Sequence, residues 1–527
     1  MLIVDDYPDM RSMIKQMLEP LQVGEIDMVD NGKDAIANLK LNTYDIILCD
    51  YNLGEGKNGQ QVLEEAQKSS LIDYTSIFVI ITAESSKEIV MSAVESEPDD
   101  YLAKPFNKDL LRKRLERIAL RKRNLAPIAK WVKQLNYNNA IKTCDLLIAK
   151  APKNLNQIIR IKASLYEKIG DLKAADKIYS EVLSQSALPW AQFGHGIILF
   201  KNKSYKEAQT VFLALIKSHP TYTPAYDWIA KIEEQQGHLD KATEWLTIAA
   251  SIAPNIVPRQ RQLGLVSYKN GDLETASHVL TRVVKLARDS IHEDGENEAT
   301  LANVYLDKGD SLQALKLINS AKKRFRSRPE SKIYLALSEN KIQIARGNKD
   351  LAEQALKEAT KLYNNLSAPV PIDVGVSLSS ALMTNGDAES SKTILKNIAQ
   401  DNLHDKNVLE KVQHVFNEHS ISDEGSSFIS SISKTIVGLN NKGVSLAKSG
   451  KIDDSKKLFK TALTEMPYNI TIHINYIQVL LMEMKEQMLS TSDQMALNSS
   501  IELIREREPN NFAFNRLMDL YNKQREK

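Results

Sequence analysis

Tyr44-Asp45-Ile46-Ile47-Leu48-Cys49-Asp50-Tyr51-Asn52-Leu53 is the stretch that decides the fold of the first part of this 527-residue chain. Ile46 to Cys49 is a short apolar run, the pattern of a strand buried on both faces. The run stops at Asp50. A carboxylate at the end of a buried strand is costly unless something pairs with it, and strand ends in open α/β sheets are where ligands bind. The stretch therefore predicts a central strand with a chemically active Asp50 at its C-terminal end.

Working outward, strands are expected at Leu2–Val4, Asp27–Val29, Ile46–Cys49, Ile77–Ile81 and Asp100–Ala103. Apolar residues at helical spacing over Met10–Leu18, Lys33–Leu41, Gln60–Gln67, Lys87–Val94 and Lys108–Ala119 alternate with them. This alternation predicts a doubly wound α/β domain over residues 1–118, with a five-stranded parallel sheet between helical layers.

Parallel strands put their C-terminal ends on one edge. Asp5 and Asp6 follow the first strand, Asp50 the third, Thr82 the fourth and Lys104 the fifth, so these residues should converge. Three carboxylates repel one another unless a cation lies among them, and a hard divalent ion such as Mg²⁺ suits oxygen ligands. The set fits phosphoryl transfer. Asp50 would be the nucleophile and form an acyl phosphate, Mg²⁺ would neutralise the incoming phosphate, and Lys104 and the Thr82 hydroxyl would hold its oxygens. Taken singly, the acids or Thr82 read equally well as helix caps and Lys104 as a surface lysine. Five such residues at the ends of the right strands make the joint coincidence small. Gly54, Gly56 and Gly59 match a dinucleotide-binding fingerprint, but they follow the third strand rather than the first, so no dinucleotide site is expected.

Val4-Asp5-Asp6, Cys49-Asp50-Tyr51-Asn52, Ile81-Thr82-Ala83-Glu84 and Tyr101-Leu102-Ala103-Lys104-Pro105-Phe106 stand in the order found in receiver domains of two-component response regulators. Residues 1–118 resemble that family along their whole length. The resemblance implies phosphorylation at Asp50 and a Mg²⁺ site of Asp5, Asp6, Asp50 and the Asn52 main-chain carbonyl. It implies phosphoryl-binding and switch roles for Thr82, Ala83, Lys104 and Tyr101, with the small Ala83 leaving a path to Asp50. It places Asn52 and Glu84 where dephosphorylation is tuned, and it implies a cis Lys104–Pro105 bond. Two departures stand out. The loop after Asp50 lacks the family's Met-Pro, and the chain opens with no basic lead-in, which leaves an upstream start open.

From about residue 121 strands vanish and a repeat takes over. Ala140, Ala175, Ala208, Ala242, Ala276 and Ala314 recur at spacings of 33 to 38 residues, each near the start of a second helix. Ala163, Gly196, Ala230, Gly264 and Ala302 stand twelve residues before most of them, and Gly170, Gly237, Gly271 and Gly309 mark the turn between. Small residues let helices cross closely and Gly makes the turn. The pattern resembles the tetratricopeptide repeat (TPR), which implies an all-α superhelical solenoid with a protein-binding groove. The expected layout is a basic helical joint over 119–130, clear repeats over 131–328, degenerate helical repeats over 329–435, and a further repeat with capping helices over 436–527. Candidate groove residues are Arg160, Phe193, Asp227, Lys231, Arg261, Tyr268 and Asn303, which lack the Lys/Asn/Arg clamp for acidic C-termini. With no glycine-rich linker after Leu111, helix five is expected to run nearly continuously into the repeats.

Composition is that of a globular protein, 43% hydrophobic and 26% charged. No apolar run approaches the roughly 20 residues that span a membrane, and the first strand leads directly into acids, so a cytoplasmic protein without a secretory leader is expected. Cys49 and Cys144 show no metal spacing and read as buried free thiols. Residues 1–118 carry 9 Lys and 4 Arg against 12 Asp and 10 Glu, a balance of −9, so the remainder carries +11 of the overall +2. This asymmetry predicts that the unphosphorylated N-terminal domain docks on its own repeats.

The reading is of a bacterial response regulator. A sensor histidine kinase or phosphotransfer protein would phosphorylate Asp50 and thereby switch binding of a target protein by the array. The alternatives are a constitutive scaffold or phosphate sink, and nucleic-acid binding through the basic run Arg112–Arg123, which reads better as a solvated helix face. No enzymatic activity beyond slow self-dephosphorylation is expected. A dimer through the receiver or the array stays open.

Overall fold

The computed structural model describes residues 1–21, 23–83, 86–366, 370–485, 488–508 and 511–525. The N-terminal domain runs β1 (Leu2–Val4), α1 (Pro8–Leu18), β2 (Asp27–Val29), α2 (Gly32–Leu41), β3 (Ile46–Asp50), α3 (Gly59–Lys68), β4 (Ile77–Thr82), α4 (Lys87–Glu95), β5 (Asp100–Ala103) and α5 (Lys108–Arg123). All strand pairs are parallel, in the order β2-β1-β3-β4-β5. The inner strands β1, β3 and β4 are apolar on both faces because both are covered, whereas the edge strand β2 exposes Asp27 and Met28. Ile47, Cys49, Phe78 and Ile80 join Ala35, Val62, Leu63 and Ala66 on the α2–α3 side. Leu48, Val79, Ile81 and Leu102 join Ile14, Leu18, Leu111, Leu115 and Ile118 on the α1–α5 side. Each wholly buried Leu or Ile contributes about 1.5–3 kcal/mol.

Helix starts follow local chemistry. Asn31 and Asn107 accept the Asp34 and Leu110 amides, and Asn58 with Gln61 forms a reciprocal capping box at α3. Helix α5 does not run on into the repeats as expected. It ends at Arg123, and α6 (Ala126–Lys133) starts after a break, with Pro127 in its first turn.

The chain divides into two compact units, Met1–Glu167 with Asp171–Asn297, and Glu298–Lys527 with Lys168–Gly170. The repeats of the first unit are helix pairs such as Pro189–Lys201 with Tyr205–Ser218 and Thr223–Gln235 with Leu239–Ile252. The small residues of the repeat lie at their crossings. Ala163, Ala175, Ala208, Ala230, Ala242 and Ala276 are all buried, and a Cβ on Gly196 would stand 2.6 Å from the Phe212 ring. The turn glycines Gly237 and Gly271 have φ near +80°, and Lys203 takes a similar left-handed conformation in the copy that lacks a glycine.

The second unit continues with helix pairs through Ile470–Glu483 and Thr491–Arg507 and ends on Phe512–Arg525. Its core runs through Leu378, Leu395, Val412, Phe416, Phe459, Tyr476 and Leu497. The sequence boundary at 435/436 falls inside one continuous 27-residue helix, Ser422–Lys448. Its second half is the first helix of the repeat that continues with Ile452–Glu465. The irregular register over 404–435 thus reflects a helix shared between successive pairs.

Candidate functional site

β1 and β3 are neighbours, so Asp5, one residue beyond β1, lies beside Asp50 at the end of β3. The ladder holds both strand ends in place, through Asp5 N–H to the Val29 carbonyl (3.2 Å) and Tyr51 N–H to the Ile81 carbonyl (2.8 Å). Beyond β5, the Lys104 amide donates to the Thr82 carbonyl at 2.7 Å, which brings the lysine back over the same edge. Its Nζ lies 2.9 Å from Asp5 Oδ2 and 2.8 Å from Asp50 Oδ1. Asp5, Asp50 and Thr82 are buried, and Ala83 is exposed. The Lys104–Pro105 bond is cis.

One ammonium does not balance three carboxylates. Asp5, Asp6 and Asp50 offer oxygens that all lie within 4.8 Å of one another. Asp6 Oδ1 is buried with no hydrogen-bond partner. Burial pushes the Asp50 carboxyl up, Lys104 pulls it down, and Asp5 and Asp6 push it up again. Burial alone would lower the Lys104 ammonium, but Asp50 and Asp5 hold it above its ordinary value. An orphaned buried oxygen facing two further carboxylates fits a hard divalent cation, which these three side chains could hold. Burial also raises the Cys49 thiol well above its ordinary value, so it stays protonated beside Asp50.

The glycine fingerprint has a packing role. A Cβ on Gly59 would stand 2.2 Å from the Asp50 carbonyl oxygen, so the start of α3 rests against the backbone of Asp50. Asn52 is exposed at the mouth of the site. Tyr101 is half-buried on β5. Glu84 lies outside the described residues.

Residues 1–116 match the response regulator receiver domain family. Residues 1–116 are a response regulator receiver domain. The chain is similar to the chemotaxis protein CheY-3 of Vibrio cholerae, 29% identical over 117 residues that make up 22% of this chain and 88% of that protein. It is also 27% identical to the chemotaxis protein CheY of Pseudomonas aeruginosa, over 22% of this chain and 93% of that protein. A solved tetratricopeptide repeat protein from Parabacteroides merdae is 13% identical, with a TM-score of 0.33, over 50% of this chain and 98% of that one.

The receiver's basic last helix is largely occupied by the receiver's own acids. Arg114 and Arg117 pair with Asp100 at 2.7 and 3.1 Å, and the buried Lys122 Nζ lies 2.6 Å from Asp99. Burial lowers the Lys122 ammonium while Asp99 raises it.

The candidate groove residues fall into two groups. Phe193 packs on Phe212 and Tyr222, Lys231 lies over the Trp228 and Phe200 rings, Arg261 pairs with Glu296, and Asn303 accepts from Ser338. Tyr268 is half-buried on its helix. Arg160 and Asp227 instead belong to a contact with the receiver. Arg160 pairs with Glu97 at 2.6 Å, and Asp227 shares Arg259 with Glu95. Sequence reading missed Arg259, Glu95, Thr223 and Asn255. The available signal was the charge asymmetry, which pointed to docking without naming the residues.

Proposed function

We propose that this protein is a cytoplasmic, non-enzymatic response regulator in which phosphorylation of Asp50 controls protein binding by the repeat array. The observation that carries the reading is that the receiver, with its acids and Lys104 gathered at one strand edge, packs on the first repeats through α4. Asp50 is the nucleophile, and a histidine kinase or phosphotransfer protein presents the phosphoryl group. Mg²⁺ held by Asp5, Asp6 and Asp50 supplies positive charge against the incoming phosphate. Lys104, already 2.8 Å from Asp50 Oδ1, would turn from that carboxylate to a phosphoryl oxygen. The Thr82 hydroxyl provides a donor from the neighbouring strand end. The array contributes surface rather than chemistry. Among the described residues no helix is long and apolar enough to cross a membrane, and the acids near Lys104 are the one cluster suited to a metal ion.

The test has two arms. Acetyl phosphate with Mg²⁺ should label the wild-type chain with a phosphoryl group that neutral hydroxylamine removes, as it removes an acyl phosphate, and leave Asp50→Asn unlabelled. Equal labelling of both would sink Asp50 as acceptor. Affinity capture with beryllofluoride-bound wild type beside Asp50→Asn should enrich a partner in one state only, whereas the same partner in both lanes would refute control by phosphorylation.

A further inference from the structure

In a solenoid each repeat touches only its neighbours, and curvature follows from the small rotation added at each step. This chain adds ties that skip along the array. Its first compact unit does not end where strands give way to helices, but holds the receiver together with the repeats as far as Asn297. The two meet along the edge formed by the loops between repeats and the helix starts that follow them. At the near end the Asn154 side chain donates to the Arg121 carbonyl at 2.9 Å, and Arg160 pairs with Glu97 at 2.6 Å. Two repeats further on, the Thr223 hydroxyl donates to Glu95 at 2.5 Å, and the Asn255 amide donates to the Ser92 hydroxyl at 3.2 Å. Arg259, whose side chain has no exposed surface, lies between Glu95 and Asp227. At the far end Gln61 of α3 donates to the Leu286 carbonyl at 3.0 Å, Glu64 lies 3.5 Å from His292, and Lys57 reaches the Asp289 carbonyl.

We infer that the receiver has a second function, one that does not use Asp50: it is a splint that fixes the pitch of the repeats from Leu155 to Leu286, and with it the shape of the groove they form. Three observations carry this. The first is reach. One domain holds both Arg160 and the Leu286 carbonyl, which belong to repeats that do not adjoin. The second is stiffness. Helix α4 ends in the acids that make the near contacts, and α3 makes the far ones. Val62, Leu63 and Ala66 of α3 share one core with Ala93 of α4 and with Cys49, Phe78 and Ile80 of the sheet. The spacing between the two contact helices is therefore set by a packed sheet, which deforms little, and not by a loop. The third is hold. Arg259 donates to both Glu95 oxygens, at 3.0 and 2.6 Å, while both Asp227 oxygens take the rest of its fork, each at 2.7 Å. Removing one partner from a buried ion set is strongly unfavourable, so this tie resists opening where the half-exposed Arg160–Glu97 pair would not. A solenoid tied at points several repeats apart loses the freedom to flex between them, so a partner entering the groove meets one shape and need not pay to order it. The splint makes no use of phosphoryl chemistry and stands or falls apart from the phosphoacceptor reading.

The test uses the full chain with nitroxide labels at Lys177→Cys and Lys285→Cys, exposed positions on second helices three repeats apart. The native Cys49 and Cys144 are buried and stay unlabelled. Pulsed dipolar spectroscopy of the otherwise wild-type chain should give one narrow distance distribution. Glu95→Lys turns the Arg259 tie into a repulsion and should broaden that distribution roughly twofold, as expected of repeats left to nearest-neighbour contacts. Lys57→Ala/His292→Ala loosens the opposite end without touching α4 and should broaden it as well. Asp50→Asn should leave it unchanged. A broad distribution without these substitutions, or an unchanged width in both splint variants, would overturn the splint. Broadening of the same size in Asp50→Asn would overturn its independence of the phosphoacceptor. Circular dichroism should show wild-type helix content in every variant; if Glu95→Lys loses helix, the Lys57→Ala/His292→Ala width decides by itself.

Discussion

Replacing Gly59 by alanine tests how tightly the phosphoacceptor is held from behind. The added Cβ would lie 2.2 Å from the Asp50 carbonyl oxygen, 3.0 Å from its carbon and 3.1 Å from Tyr51 Cα. All three atoms are backbone, and they belong to the end of a strand paired with β4, so no side chain can swing aside. Reaching an ordinary carbon–oxygen contact requires about 1 Å of movement by α3 or by Asp50. The cost belongs at the upper end of the roughly 1–3 kcal/mol typical of overpacked cores. In a domain of this size that lowers the receiver's melting temperature by roughly 10 °C. A displacement of about 1 Å at a reacting group can also cost on the order of 100-fold in rate. Calorimetry and the rate of labelling by acetyl phosphate would read both effects. Gly56→Ala is the control. Gly56 has φ +94° but open space around its Cβ position, so alanine there should cost about 1 kcal/mol in backbone strain and leave the labelling rate unchanged. If Gly59→Ala melts within about 2 °C of wild type and labels at the wild-type rate, the packing argument is wrong.

Three further outcomes are expected. Mg²⁺ should raise the receiver's melting temperature, with stabilisation of about 2.7 kcal/mol at 100 times the dissociation constant, and Asp6→Ala should remove most of that gain; an undiminished gain in the variant would exclude Asp6 as a ligand. In the second unit, burial pushes the Asp401 carboxyl from 3.8 to about 6, and the Glu508 partner holds the His404 imidazole above its ordinary value. At Asp401 the folded unit therefore binds more protons than the unfolded chain between about pH 4 and 6, so the stability this group contributes should fall by roughly 1–3 kcal/mol as pH rises through that window, and Asp401→Asn should remove that part of the slope; urea titrations of wild type and variant at the two ends of the window would refute this by showing equal slopes. A Cβ on Gly443 would stand 2.4 Å from the tip of the wholly buried Phe459 ring, so Gly443→Ala should cost about 1–3 kcal/mol in the same unit. An unchanged urea midpoint would count against that close crossing.

The sequence by itself determined the elements and the edge on which the chemistry sits. Apolar runs of strand length ending at Asp5, Asp50, Thr82 and Lys104 are local signals, and parallel pairing leaves one place for those ends to meet. The small residues every 33 to 38 positions were equally legible, because a close helix crossing admits little else. Tertiary structure alone decided the rest. The break at Asn124 and the continuous helix Ser422–Lys448 depend on packing that local spacing does not encode. The role of Gly59 is visible only once α3 lies against Asp50. Glu95 and Arg259 are 164 residues apart, and each, read in its own helix, is an ordinary surface charge. Composition showed that opposite charges stood in the two parts of the chain. Which acid meets which arginine follows from how the repeats stack and where α4 ends, and a guanidinium becomes a buried anchor only when the folded chain closes around it.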